Sequence, residues 1–248
     1  MKAGSSAVIL VAAGAGRRYG REKQFLPLGG RPLIHWPLLV FDNTPEVTEV
    51  ILVVAKDRLA WARRFVHRGR FKKVRAVVPG GRERADSVRA GLAGVSPLVD
   101  VVLVHDAARA LVSRDIIDRV AAAVRRSGAA LAARPVTDTV KVGVVKQSRV
   151  HVARTLPRTG LWLAQTPQGF RADLARRIAP RLSSSLTDDV QAVERLGLPV
   201  EIVFGAARNF KVTVPEDFEL CRSFFAQKKK IRRDGGKRST VPLEKKAI

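Results

Sequence analysis

Apolar runs alternate with helical patterns along most of this chain, and that alternation limits its fold more than any other feature. Runs of strand length lie at 7–11, 50–55, 74–78, 101–105, 129–133 and 200–204. Between them, segments 32–41, 58–67, 85–94, 114–126, 188–196 and 215–226 carry helical spacing. Strands linked by helices predict an α/β fold with a mainly parallel sheet flanked by helices. The run at 101–105 is apolar on consecutive residues, which places it near the sheet centre with both faces buried. In such sheets ligands sit beyond the carboxyl ends of the strands, so function is sought in the loops that follow these runs. The stretch Thr213-Val-Pro-Glu216 reads as a capping box with proline at the first helical position, opening the last helix.

The first run empties into Ala12-Ala-Gly-Ala-Gly-Arg-Arg18, and Lys23-Gln-Phe-Leu-Pro-Leu28 follows. Gly14 and Gly16 let the backbone take positive φ and approach a ligand with no Cβ in the way. Amides in such a turn form an anion-binding concavity, and Arg17, Arg18 and Lys23 add charge beside it. The loop suits a polyphosphate. It is not a Walker loop, because Gln24 follows Lys23 where Ser or Thr is required. Nor is it a dinucleotide fingerprint: the third glycine comes late, at Gly20, and the next strand runs into Lys56 and Asp57 without an acidic residue at its end. An ordinary strand-to-helix turn with solvated arginines is the plain alternative.

The 248 residues are 46% apolar and 27% charged, enough chain for one large α/β domain. No apolar run approaches the ~20 residues of a membrane span. The first residues hold no signal-peptide core, and a cytoplasmic setting is expected. The single cysteine, Cys221, excludes an intrachain disulfide and reads as a small filler on the last helix. A net charge of +24 raises nucleic acid as a ligand. The arginines, however, are scattered over every expected helix, and no aromatic residues interleave a basic strand as a base-stacking platform. No nucleic acid is therefore expected as the main ligand, whereas a small polyanion profits from such a field. One domain is expected over 1–227, with 228–248 a basic, disordered tail.

Residues 135–160 break the rhythm. Segments 139–145 and 149–155 alternate apolar with polar residues around a Lys146-Gln-Ser148 turn, which predicts a two-stranded hairpin. A lone hairpin is marginal in water, so a protruding arm packed on a second subunit is expected. After the central run, His105-Asp106-Ala-Ala-Arg109 sets Asp106 at the carboxyl edge of the sheet, where an aspartate meets a Mg²⁺-nucleotide; a helix cap is the alternative. Gly80-Gly-Arg-Glu-Arg-Ala-Asp-Ser87 ends the third strand and starts a helix, a place for an anion or a base edge, or a plain capped loop. Arg158-Thr-Gly-Leu-Trp162 and Ala164-Gln-Thr-Pro-Gln168 follow the hairpin, and Asn209-Phe-Lys-Val-Thr213 sets Lys211 on an extended segment.

In this order the pieces resemble the family of 2-C-methyl-D-erythritol 4-phosphate cytidylyltransferases, which belongs to the sugar-phosphate nucleotidyltransferases with a Rossmann-like sheet. The resemblance runs from Ala7 to about Ala226. It rests on A-A-G-x-G-R-R with K-Q-F-L-P-L, G-G-x-E-R-A-D-S-V, V-H-D-A-A-R, P-V-x-D-T-x-K, R-x-G-L-W-x-A-Q-T-P-Q, L-T-D-D and N-x-K-V-T-x-P-E-D, collinear along the chain. It implies transfer of CMP from CTP to a sugar-alcohol phosphate, with pyrophosphate released, Mg²⁺ as cofactor and a homodimer joined by the arm. The expected acceptor is 2-C-methyl-D-erythritol 4-phosphate, on the way to isoprenoid precursors. Ribitol 5-phosphate is the alternative acceptor, and a nucleic-acid-binding or regulatory protein on an inactive fold is the alternative of another class.

The same resemblance implies roles for single residues. Arg18 and Lys23 match the cations that stabilise the α-phosphate in the transition state. Ala12, Ala13, Gly14, Gly16, Gly81, Ser87 and Asp106 match the nucleotide side, and Asp106 is the expected metal ligand. Asp106, Ala107, Arg109, Thr139, Arg158, Thr187 and Lys211 match the acceptor side, with Thr139 and Arg158 coming from the partner subunit's arm. Arg82 stands where many members carry an acidic residue near the ribose, and the Arg18–Lys23 loop is shorter than in several relatives. The chemistry agrees with this pattern. A phosphate monoester, with a second pKa of about 6, is already a nucleophilic dianion at neutral pH. It needs no general base, in keeping with His35, His67, His105 and His151 forming no cluster in the sequence. It needs cations and a metal that bring two anions together.

Overall fold

The computed structural model describes residues 4–16 and 18–233, with side chains described to residue 226. In chain order the elements are β1 (Ser6–Ala12), the short β2 (Pro27–Leu28) and β3 (Arg31–Pro32), α1 (His35–Asp42), β4 (Val47–Val54), α2 (Leu59–Gly69), β5 (Val74–Pro79), α3 (Arg84–Ala93) and β6 (Val101–Asp106). There follow α4 (Arg114–Ser127), β7 (Ala129–Pro135), β8 (Val140–Lys146), β9 (Arg149–Leu156), β10 (Trp162–Arg171), α5 (Ala172–Ile178), α6 (Gln191–Glu194), β11 (Glu201–Phe204) and α7 (Pro215–Arg233). The seven-stranded sheet has the order β11-β7-β10-β6-β1-β4-β5, so β6 is its centre, and all of its residues are buried as the apolar run predicts.

Alternate residues of β1 feed opposite faces of this sheet, as the two-residue period of a strand requires. Val8, Leu10 and Ala12 pack on one side with Ile34, Leu38 and Phe41 of the α1 region and with Ile117, Val120 and Val124 of α4. Ala7 and Ile9 pack on the other with Val88 of α3, Leu174 of α5 and Val193 of α6. Helix α4 shows how locally this is written: the Ser113 hydroxyl accepts from the Ile116 amide at 3.4 Å, and Ile116, Val120 and Val124 recur every fourth residue to form its buried stripe.

The sheet corrects one expectation. Strand β10 is not among the expected strands, and it lies antiparallel between β6 and β7, while β1, β4, β5 and β6 pair in parallel and so do β7 and β11. The chain leaves the sheet at Pro135, makes the hairpin and re-enters opposite the same residue at Trp162, so the returning strand must run backwards. A further buried group, Leu28, Leu33, Val212, Phe218 and Cys221, fixes α7, and Cys221 is the apolar filler expected there. Helix α7 starts at Pro215, but its cap differs from the expected box. The Asp217 carboxylate takes the amides of Thr213 and Val214, at 2.7 and 3.0 Å. The helix also runs past residue 227 to Arg233, so the start of the segment expected to be disordered is helical; the rest of that tail lies outside the described residues. The helix expected at 188–196 shortens to the single turn of α6.

The hairpin β8–β9 forms its own two-stranded sheet, joined by Gln147 and Ser148 at φ of 47° and 61°. Two central residues with positive φ match the twist of the strands they connect. Val145 and Val150 are each 75% exposed and Val152 is 65% exposed, so among the described residues this arm has no cover on that face. Among the described residues no helix is long and apolar enough to cross a membrane.

Candidate active site

β1 and β6 are neighbours, and the loops at their carboxyl ends, with those after β5 and before α7, enclose a cavity of about 510 Å³. Its first wall is the glycine loop. The buried Gln24 amide donates to the carbonyls of Ala12 and Gly14, both at 2.9 Å, and holds the turn in shape. Gly16 has φ of 68°, and a Cβ there would lie 1.9 Å from the Arg21 carbonyl oxygen. Gly14 does not adopt positive φ, contrary to expectation, and a Cβ there would meet nothing within 4 Å among the described residues. Ala12, Ala13, Gly14 and Gly16 line the cavity, with Arg18 and Lys23 beside them, while Arg17 lies outside the described residues. Burial lowers the pKa of Lys23, and repulsion from Lys211 and Arg18 lowers it further. An incoming anion relieves that repulsion.

Asp106 ends β6 and is 7% exposed. Its Oδ1 lies 3.1 Å from Arg84 Nε and its Oδ2 2.8 Å from Lys211 Nζ, with Arg109 Nε at 3.9 Å. Burial alone would raise its pKa, but Arg84, Lys211 and Arg109 hold it well below the usual carboxylate range. The turn after it is tied at both ends. The Thr166 hydroxyl accepts from the Asp106 amide at 3.2 Å and donates to His105 Nδ1 at 2.9 Å, because the Arg109 carbonyl can only accept and so places the neutral ring's proton on Nε2. His105 Nε2–H then donates to the Arg109 carbonyl at 3.3 Å. The ring is fully buried, which lowers its pKa to about 4 and keeps it neutral. Arg109 reaches the carbonyl of Asn209 at 2.8 Å, and among the described residues its Nε has no hydrogen-bond partner.

Opposite the glycine loop, Gly81, Arg82 and Ser87 line the cavity where β5 gives way to α3. The Ser87 hydroxyl accepts from the Gly81 amide at 3.2 Å, and the Asp86 carboxylate accepts from the Glu83 amide at 3.0 Å, so this loop is capped as well as open to a ligand. Ala107 and Lys211 complete the lining. Four expected residues are not brought to this cavity, and Arg109, turned toward the Asn209 carbonyl, is the first of them. Thr187 lines a smaller one of about 180 Å³ that shares Glu83 and Arg84 with the first. Thr139 and Arg158 are exposed at the base of the arm, where Arg158 donates to the Thr137 carbonyl. The structure also adds residues that the sequence reading does not select: Gln24, Arg84, His105, Thr166, Gln168 and Asp189. Each lies inside a motif quoted above, with no spacing that singles it out from its neighbours.

Among the described residues no group of three His, Cys, Asp or Glu is placed to hold a metal. Both Asp106 oxygens are already paired, yet a carboxylate offers about four acceptor positions. Mg²⁺ keeps several waters and binds through one or two carboxylates plus substrate phosphates. The donor set therefore suits Mg²⁺ brought in on a triphosphate, and not a metal caged by the protein alone.

A family model described as IspD, 2-C-methyl-D-erythritol 4-phosphate cytidylyltransferase, matches residues 6–227. The chain belongs to this family. A protein of that name from Geobacter metallireducens is 41% identical over 232 residues, covering 89% of this chain and 97% of its own. Another, from Alkaliphilus oremlandii, is 38% identical over 236 residues, covering 93% of this chain and 97% of its own. The crystal structure of 2-C-methyl-D-erythritol 4-phosphate cytidylyltransferase from Thermus thermophilus is similar with a TM-score of 0.71 and 36% identity, over 89% of this chain and 98% of that one.

Proposed function

We infer that the protein transfers CMP from CTP to 2-C-methyl-D-erythritol 4-phosphate, releasing pyrophosphate and forming CDP-methylerythritol. The observation that carries this reading is the cavity that joins the glycine loop to Arg18, Lys23, Asp106 and Lys211 in a protein of this family. An oxygen of the acceptor's phosphate attacks the α-phosphorus of CTP. The new P–O bond forms as the bond to the β-phosphate breaks, and pyrophosphate leaves with the electron pair. The dianionic nucleophile needs no base, so the work of the site is to position and neutralise.

Ala12, Ala13, Gly14 and Gly16 cradle the nucleotide's phosphates, while Gly81 and Ser87 hold the cytidine. Arg18 and Lys23 take the charge that builds on the α-phosphate and the leaving group. Lys211 and Arg109 draw in the acceptor phosphate, with Asp106, Ala107 and Thr187 on the acceptor side. Asp106 would hold a Mg²⁺ ion carried in on the triphosphate, and that ion would supply charge neutralisation at the phosphates. The arm serves a homodimer, in which Thr139 and Arg158 complete the partner's site. The uncovered valines of β8 and β9, and a cavity lining in which the same chain's Arg158 takes no part, support that arrangement.

Pyrophosphate release with CTP and each candidate acceptor tests the reading. The expected kcat/KM favours 2-C-methyl-D-erythritol 4-phosphate over ribitol 5-phosphate by on the order of 10²-fold, the discrimination a pocket reaches on a methyl group or an added hydroxyl. A preference for ribitol 5-phosphate would change the acceptor. No release with either, together with steeply salt-dependent nucleic-acid binding, would replace the enzyme by a binding protein.

A further inference from the structure

The cation that grips Asp106 is itself gripped. Arg84, the first residue of α3, sends Nη1 and Nη2 to the two oxygens of Asp189, at 2.7 and 2.8 Å, while its Nε reaches Asp106 at 3.1 Å. Asp189 is 2% exposed. Its amide and that of Val190 both donate to Gln168 Oε1, at 2.9 and 3.2 Å, and Gln168 Nε2 donates to Asp188 at 3.0 Å. Gln168 lies on β10, paired with Val104 of the central strand. A rigid sheet position thus sets Asp189, Asp189 sets the guanidinium plane of Arg84, and Arg84 occupies the Asp106 oxygen that Lys211 does not. Arg84 is also the wall shared by the two cavities, and Thr187 stands two residues before Asp189 on the smaller one.

We propose that Asp189 is a positioning residue for the transfer reaction, acting through Arg84 to fix the Asp106 carboxylate and, through it, Lys211 at the acceptor end of the site. This rests on the function inferred above. A planar guanidinium engaged by two carboxylates at once has one orientation, and a single ammonium cannot reproduce it. Without the fork, Arg84 is free to turn, and the Asp106 oxygen loses a fixed partner. Asp189 touches neither substrate in this scheme, so its removal acts on the acceptor end and leaves the glycine loop as it is.

The test is a double-mutant cycle. Asp189→Asn, nearly isosteric, should lower kcat/KM for the acceptor by on the order of tenfold, as loss of a group that orients a binding residue does. The KM for CTP, which Asp106 meets only through Mg²⁺ on the triphosphate, should rise less than the KM for the acceptor. In an Asp106→Asn background the same change should cost less than about twofold, because the residue it acts upon is already lost. If Asp189→Asn does not fold, as judged by circular dichroism, Arg84→Lys is carried through the same two backgrounds with the same expectation. Equal losses in both backgrounds would mean that the pair only stabilises the fold, and would overturn the proposal while wild-type turnover leaves the function standing. Absence of CMP transfer in the wild-type protein would overturn both.

Discussion

Replacing Lys23 by alanine should lower kcat by on the order of 10²–10³ while changing the KM for CTP far less, the typical loss when one preorganised stabiliser of transition-state charge is removed. Lys23 is half-buried, and its pKa is lowered by that burial and by the charges of Lys211 and Arg18. The cost of holding these cations together is met when folding is complete, before substrate arrives. Negative charge that gathers at the α-phosphate and on the departing pyrophosphate then meets a field that needs no rearrangement. CTP in its ground state also has the loop amides to hold it, so affinity depends less on any one side chain. Arg18→Ala should shift kcat in the same direction. Rapid-quench measurement of product with both substrates saturating separates chemistry from binding, and turnover within about threefold of wild type in both variants would contradict these roles.

The second large effect concerns assembly. Arg158→Ala and Lys211→Ala should each abolish most activity, and mixing the two inactive proteins after subunit exchange should restore it. In a mixed dimer one site has the Lys211 of one chain and the Arg158 of the other, and its counterpart lacks both. Random exchange makes half of the dimers mixed, so recovery should approach roughly a quarter of wild-type sites. The expectation follows from the arm: its valines are exposed in the single chain, and Arg158 is not among the residues lining its own chain's cavity. Mixed dimers that form and stay inactive would mean that Arg158 works within its own chain.

The parallel strands were legible because β1, β4 and β6 are buried on both faces and so are apolar almost without interruption. Strand β10 hid because half of its buried residues are polar: Gln165, Thr166 and Gln168 are 2–3% exposed and bond to Asn209, His105 and Asp189, partners that no local pattern reveals. Pro167 falls where the pairing with β7 is interrupted, and a proline in a run argues against a central strand. The same contrast divides the site. Glycine-loop residues and the Asp106 turn are contiguous and could be read, whereas Arg84 and Asp189 are 105 residues apart and meet only in the fold. Gly14 shows a finer limit: the expected positive φ is absent and a Cβ would meet nothing within 4 Å among the described residues, so only Gly16 of the pair is required by the loop's own geometry.

The most direct test of the central claim is a ³¹P NMR spectrum of the wild-type protein with CTP, Mg²⁺ and 2-C-methyl-D-erythritol 4-phosphate. Attack at the α-phosphorus predicts coupled diphosphate resonances of CDP-methylerythritol growing in step with one equivalent of inorganic pyrophosphate. The acceptor's monoester signal should disappear at the same rate. Release of orthophosphate with CDP, or CTP left intact beside unchanged acceptor, would show that the cavity does not carry out cytidylyl transfer.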